Sequence, residues 1–511
     1  MPWWHTYWRM SPHKLRQWIG PLLAFVCFAV LSARAQSPAS GVCANAGFDT
    51  RPWLEDFDQL TAEMTAHYSG LEFAVQQRHM DLPGLRRETA AKLAQSCNEA
   101  DVRQVLKKFL DSFGDGHLEI DWPQAAAVSA EPKASEAPSL CARLDYKKRP
   151  FKIGVDFSQL PQFTSVGGEE AEWFPGGILR LGGDAKLGVI RIAIFSEHWF
   201  PEACEQAVRQ LHLEKTEKCD EQCENSIERE AGNVLTAAIV KRAQQLQAAG
   251  ATALFVDIAH NGGGSNWVEA PPRVLSRVSL RESRFGFIKH EHWTKQLKDQ
   301  LTDVESDLKK GSAPKDALQE AATRLRSGIA RTQEPCDRGR VWTDGTLQCS
   351  LLVTDVLSNG GILPYAQPGS FASLESKTTL FHPLSYTYTE SSARLPLYVA
   401  VDGDTWSAAE YFAAILQDNK AATILGEVTG GAGCGYTNGG IPTALKNSHA
   451  TVKMPDCVRQ RRDGSNEVSG ITPDVLVPWS KHDSAYQRAE KMYHALLALF
   501  AAEQANQKGR P

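Results

Sequence analysis

The apolar positions of this chain follow two different periods. In residues 52–114, Leu54, Phe57, Leu60 and Met64 recur at helical spacing, as do Val102, Val105, Leu106, Phe109 and Leu110. Each set puts its apolar side chains on one face of a helix. The pattern predicts a small helical domain that ends in "DSFGDGHLEIDW", where Gly114 and Gly116 break the helix and lead into an extended segment. Farther along, the period changes. "LGVIRIAIF" (187–195), "TALFVDIAHNGGG", "PLYVAV" and "AATILGEV" are continuous apolar, β-branched runs, as expected of strands covered on both faces. Helical stretches separate them, one from about 234 to 249 stopped by Gly250 and one after Ser407. This alternation predicts an α/β fold built on a largely parallel sheet.

A long insertion, about 270–390, interrupts the alternation. Its charged middle reads as helices: Trp293, Leu297, Leu301, Val304 and Leu308 line one face, and Leu318, Ala322, Leu325 and Ile329 line another. These faces pack, and the charges stay solvated. No internal repeat is evident. The expected organisation is a signal peptide over 1–35, a helical domain over 36–125, and a linker with a small β-rich segment over 126–186. A catalytic α/β domain follows over 187–482, carrying the insertion, and a C-terminal helix and tail occupy 483–511. Nothing in 140–186 reads as a PDZ domain.

Composition adds the cellular setting. The 511 residues are 42% hydrophobic and 23% charged, with a net charge of −5, so no basic excess exists for nucleic acid. Lys14 and Arg16 precede "WIGPLLAFVCFAVLS", and Ala33-Arg34-Ala35 follows, the layout of a secretory signal cut after Ala35. The apolar run is shorter than the roughly twenty residues a membrane span needs. Export to the periplasm or outside the cell is therefore expected, with no stable membrane span after cleavage. Of eleven cysteines, Cys27 lies in the signal, leaving ten, an even number that suggests disulfides in an exported protein. Near neighbours suggest Cys219–Cys223, Cys336–Cys349 and Cys434–Cys457. No metal and no cofactor is expected. The "HEH" at His290–His292 reads as surface histidines, because i, i+2 spacing faces opposite sides of a helix. The oligomeric state is left open.

The chemistry centres on "GDTWSAAEYFAAIL". Ser407 to Glu410 spell Ser-x-x-Glu, a capping box that satisfies the first free N–H groups of a helix. The same position favours a nucleophile, because the helix dipole and the free N–H groups stabilise negative charge there. A serine hydroxyl still needs a base. "DIAHNGGGSN" offers glycines at a strand end, where the backbone can approach a ligand closely. It lacks the Lys-Ser/Thr of a phosphate loop.

Taken together, "LGVIRIAIF", "LFVDIAHNGGG", "PLYVAVDGDTWSAAEYFAAILQDNKAATILGEVTGG" and "EVSGITPDVLV" resemble, in order, the C-terminal processing (tail-specific) peptidase superfamily. The resemblance implies a crotonase/ClpP-like ββα core sheet domain and a serine peptidase. It makes Ser407 the nucleophile, with an oxyanion hole from Ala408 and Gly263 or Gly264. The processing peptidases carry a general-base lysine in a Gly-Lys-Gly setting. Here that stretch reads "TGGAGCG" (429–435), and Lys420 and Lys446 fall outside it. The chain instead resembles the branch of the tricorn core and the retinoid-binding modules. That resemblance implies His117 in "GDGHLEI" as general base and Glu467 in "NEVSGITPD" as its orienting or charge-stabilising partner. Asp257 and Asp474 sit in matched motifs as loop-fixing residues. A disulfide to Cys457 would pin Cys434 across the site. The expected function is an exported serine peptidase acting on peptide or protein substrates, losing activity in acid as His117 protonates near its ordinary pKa of about 6.5. The alternatives on the same scaffold are a non-catalytic peptide or hydrophobic-ligand binding protein and a small-substrate esterase.

Overall fold

A computed structural model describes residues 47–123, 138–435, 442–480 and 482–508. The signal-like segment and most of the 126–140 linker lie outside the described residues. The helical pattern of the first part resolves into four helices: α1 (Arg51–His67), α2 (Gly70–Gln76), α3 (Leu82–Ala94) and α4 (Glu99–Asp111). Their starts have local causes. Pro52 sits in the first turn of α1, where its missing N–H is harmless. The side chains of Asp81 and Asn98 accept hydrogen bonds from the N–H groups of Gly84 and Asp101, capping α3 and α4. Val102, Leu106, Phe109 and Leu110 of α4 are buried, as their spacing predicts. A short strand, β1 (Glu119–Asp121), follows.

The main sheet begins with an edge hairpin, β2 (Phe163–Ser165) and β3 (Gly176–Gly182), then β4 (Ala185–Arg191). Helices α5 (Pro201–Gln210) and α6 (Glu221–Ala248) lead to β5 (Ala253–Asp257). The insertion contributes β6 (Arg284–Ile288), α7 (Glu291–Lys309), α8 (Lys315–Thr332) and β7 (Leu352–Ser358). The chain returns as β8 (Leu397–Val401), α9 (Ala408–Asp418) and β9 (Thr423–Gly426). It closes with β10 (Thr443–Ala444), β11 (Thr451–Lys453), β12 (Cys457–Arg459), β13 (Val475–Leu476) and α10 (Ala485–Lys508).

The seven-stranded sheet runs β13-β9-β8-β5-β4-β3-β2. Its strands from β13 to β4 pair in parallel, and β3 and β2 are antiparallel. Successive residues of β5 point to opposite faces. Leu254 and Val256 join the core under α6 and α9, and Ala253 and Phe255 join the core covered by Ala489, Met492 and Leu496 of α10. That double burial explains the unbroken apolar runs.

A second core holds the rest. Phe57, Leu60, Met64, Leu106 and Phe109 of the N-terminal helices pack with Trp293, Leu297, Leu318 and Leu325 of the insertion. The insertion adds an antiparallel sheet, β12-β6-β7, and β1 pairs with β11 in a small sheet β1-β11-β10. The sequence pattern did not foresee these sheets, because their strands are two to seven residues long. Among the described residues, disulfides join Cys141–Cys204, Cys219–Cys223, Cys336–Cys349 and Cys434–Cys457. The first was not anticipated, since its cysteines are 63 residues apart. Cys97 is disulfide-bonded as well.

The "HEH" histidines do not take opposite faces of a helix. His290 precedes α7 with extended backbone, φ −143° and ψ 157°, so helical spacing does not apply to it. Both rings are half-buried and turn toward His67.

Candidate active site

Ser407 stands at the junction of β8 and α9. Its backbone lies at φ 55° and ψ −115°, a region that a residue with a side chain rarely occupies. Two contacts hold it. Its N–H donates to Glu410 Oε2 at 2.9 Å, the glutamate half of the capping box. Its carbonyl accepts from Arg459 Nη2 at 3.0 Å. Glu410 is fully buried and organises the "TGGAG" turn beside the serine. Its oxygens accept from Thr429 Oγ1 at 2.6 Å and from the N–H groups of Gly431 and Ala432 at 2.8 Å.

His117 arrives from the far end of the N-terminal helices, 290 residues away in sequence, with its Nε2 at 3.0 Å from Ser407 Oγ. Gly114 makes the turn at φ 55°. At Gly116 a Cβ would fall 2.7 Å from the Trp406 ring, so the segment passes that close only as glycine. The His117 N–H donates to Asp115 Oδ1 at 3.0 Å, and Asp115 Oδ2 accepts from the Tyr68 hydroxyl at 3.1 Å. Burial raises the Asp115 carboxyl to about 6. Burial, then the nearby Arg459 charge, push the His117 imidazole down to about 4, against the opposing effect of the Cys434 backbone, which lies near the ring without bonding it. Its Nδ1 has no hydrogen-bond partner among the described residues. The imidazole beside Ser407 is therefore neutral at pH 7, the form that accepts a proton.

The glycine loop after β5 packs directly on the serine. Gly263 has φ 97°, and a Cβ there would sit 2.8 Å from Ser407 Cβ and 2.9 Å from Ala408 N. Asn261 fixes this loop: its carbonyl accepts from Trp406 N–H at 2.9 Å, and its Nδ2 donates to the Ile192 carbonyl at 3.0 Å. The N–H of Gly263 is spent on Asn261 Oδ1 at 2.9 Å, so Gly263 supplies close approach rather than a free donor. Phe195 N–H donates to Gly263 O, and Ser265 N–H donates to Phe195 O. These two bonds form the parallel bridge between Phe195 and Gly264, and neither uses the N–H of Gly264. Among the described residues, the N–H groups of Gly264 and Ala408 have no protein acceptor.

Glu467 makes no hydrogen bond to His117. Fully buried, it accepts from Arg459 Nε at 2.6 Å. Burial raises its carboxyl, and the Arg459 charge works against that rise. Arg459 thus joins Glu467 to the backbone of the serine. Asp257 and Asp474 fix loops: Asp257 accepts from Val155 N–H and Ala259 N–H and pairs with Arg191, and Asp474 accepts from Gln417 and from Ile424 N–H. Lys446 pairs with Glu55 at 3.2 Å, and Lys420 is exposed, so neither stands in for the absent lysine. The Cys434–Cys457 bridge ties the loop beside His117 to β12.

Sequence reasoning missed Asn261, Arg459 and the wider role of Glu410. Asn261 directly precedes the glycines, which was a usable signal. Arg459 lies in "CVRQRR", which reads as ordinary surface charge.

Residues 345–477 match Peptidase family S41. Among solved structures, mature CPAF superposes with a TM-score of 0.55 at 15% identity, over 90% of this chain and 99% of that one. Mature CPAF complexed with lactacystin gives 0.53 at 16% identity, over 88% and 98%. At these identities the likeness establishes the fold. An uncharacterized protein of Chlamydia muridarum (strain MoPn / Nigg) is 32% identical over 94 residues, 18% of this chain. That stretch spans 15% of the relative's length.

Proposed function

We propose that this chain, whose residues 345–477 match Peptidase family S41, is a serine peptidase working through a Ser407–His117 dyad on peptide or protein substrates. The observation that carries this reading is the 3.0 Å contact between His117 Nε2 and Ser407 Oγ, which supplies the base that a helix cap does not need. His117 Nε2 takes the proton as Ser407 Oγ attacks the scissile carbonyl. The tetrahedral oxyanion accepts from the N–H groups of Ala408 and Gly264. The imidazolium then protonates the leaving amine, and water, activated by the same nitrogen, releases the acyl group.

Glu467 acts at one remove. Arg459 anchors the Ser407 carbonyl, but its charge disfavours the imidazolium that forms during attack. The buried Glu467 carboxylate offsets that charge while leaving the anchor in place. In this reading Glu467 and Arg459 are positioning residues. The disulfides suit an oxidising compartment, and no helix among the described residues is long and apolar enough to cross a membrane. Both fit an exported enzyme.

The test is active-site labelling with a fluorophosphonate, run beside peptide and small-ester turnover. Ser407→Ala is expected to lose labelling and turnover, and His117→Ala to lose at least about 10^4-fold in kcat. A wild-type protein that folds but takes up no probe and cleaves neither substrate class would support the binding-protein alternative.

A further inference from the structure

Outside the active site, three histidines from two distant segments meet. His67 ends α1, and His290 and His292 lie at the corner between β6 and α7. One ring nitrogen from each can be chosen so that all three lie within 4.8 Å of one another. The rings are half-buried, and those of His67 and His290 are 4.3 Å apart between centroids.

Hydrogen bonding sets which nitrogens carry lone pairs. His292 Nε2 lies 2.8 Å from Asp456 Oδ2, a carboxylate that is almost wholly buried. His67 Nε2 lies 3.0 Å from Glu63 Oε2. A carboxylate accepts, so each of these rings donates there and keeps its Nδ1 as an acceptor. His290 Nδ1 accepts from the His292 N–H at 3.3 Å, a long bond whose lone pair an ion would take over. It also faces His292 Nδ1 at only 2.6 Å. Two lone pairs at that separation repel unless a proton or a cation lies between them. A ring nitrogen donated to a carboxylate while the other carries a lone pair is the usual arrangement of metal-bound histidine.

We propose that His67, His290 and His292 bind a divalent transition-metal ion of the zinc class. Imidazole suits zinc, copper, nickel and cobalt, whereas calcium and magnesium require oxygen-rich shells. Three nitrogens leave a fourth position for water or a borrowed ligand. A tetrahedral ion with bonds of about 2.0–2.1 Å spaces its ligands by roughly 3.3 Å, so the His290 and His292 rings part by less than an ångström to admit it. The Arg338 guanidinium, bound to the carbonyls of Thr65 and Ala66, opposes a cation. The carboxylates of Glu63 and Asp456 outweigh it. The ion would fasten α1 to the β6–α7 corner and, through Asp456, to the start of β12, the strand that carries Cys457 and Arg459.

The test uses tag-free, chelator-treated full-length protein. Zinc titration is expected to show one equivalent bound per chain, with a rise in melting temperature that Mg2+ and Ca2+ do not produce. Co2+ in its place should show the strong visible absorption of a four-coordinate site. His67→Gln and His292→Ala should each lose that equivalent and the cobalt spectrum, and Asp456→Asn should weaken zinc by about 10–100-fold. If His292→Ala does not fold, His67→Gln at the half-exposed end of a helix decides, with circular dichroism verifying its fold. Equal zinc binding by wild type and His67→Gln, or no stoichiometric uptake by wild type, would overturn the site and leave the rings sharing a proton.

Discussion

At the scale of single residues, Ser407 occupies a backbone region that costs a non-glycine residue about 1–3 kcal/mol, at φ 55°. Ser407→Gly should therefore raise stability by roughly 1 kcal/mol while abolishing activity, measured by urea denaturation and peptide turnover. A destabilised Ser407→Gly would mean that the hydroxyl matters more as a cap than the strain costs. His117 makes a second residue-scale prediction. Its pKa of about 4 in the fold lies below the ordinary value of about 6.5. Between those values the unfolded chain binds a proton that the folded one does not. The neutral ring's contribution to stability is thus fully present above about pH 6.5 and lost as pH falls toward 4. Activity follows the same group, so kcat/KM should persist through pH 6 and decline near pH 4, lower than the unperturbed residue predicts. An acid limb centred at 6.5 that Arg459→Met leaves unmoved would contradict the assignment. A limb near 6 that disappears in Asp115→Asn would belong to Asp115, whose carboxyl is raised to about 6.

At the scale of elements, β12 and α9 are coupled through one buried ion pair. Arg459 of β12 holds the Ser407 carbonyl at the start of α9, and Glu467 holds Arg459. Removing one member of such a pair leaves an uncompensated buried charge, at a cost of about 3–5 kcal/mol. Glu467→Gln should lower both the melting temperature and kcat and move the acid limb of the pH profile further down. Arg459→Met in the same chain should recover part of the stability and return the limb upward. A double-mutant cycle reads this coupling directly. Additive effects on both stability and the pH profile would show that Glu467 does not act through Arg459.

At the scale of the whole molecule, the N-terminal helices and the insertion share one core, in which Phe57 and Phe109 meet Trp342 and Leu318. His117 hangs from that lobe, whereas Ser407 belongs to the main sheet. A chain lacking residues 47–123 would lose the base and expose the apolar faces of α7 and α8 together. It should be insoluble or strongly bound by a hydrophobic dye, and inert to the fluorophosphonate. A soluble, monodisperse deletion product would show that the insertion folds without these helices.

The amino-acid order determined a good deal on its own. Continuous apolar runs specified a covered parallel sheet, because strands buried on both faces need apolar residues at every position. Helical spacing specified α4, α7 and α8. Ser407 stood out as a first-turn helix residue directly after a buried strand, and the resemblance to the processing-peptidase superfamily singled out both it and His117. Tertiary structure decided the rest. Glu467 reads in sequence as a partner for histidine, and only the fold shows the arginine between it and the serine. Gly263 and Gly264 are alike in sequence, and the side chain of Asn261 decides which N–H remains free. Short strands such as β11 and β12 carry too few residues to show a period, and Cys141 meets Cys204 across 63 residues. The cluster of His67, His290 and His292 was equally illegible, because side chains from distant segments become neighbours only when packing of a common core brings them together.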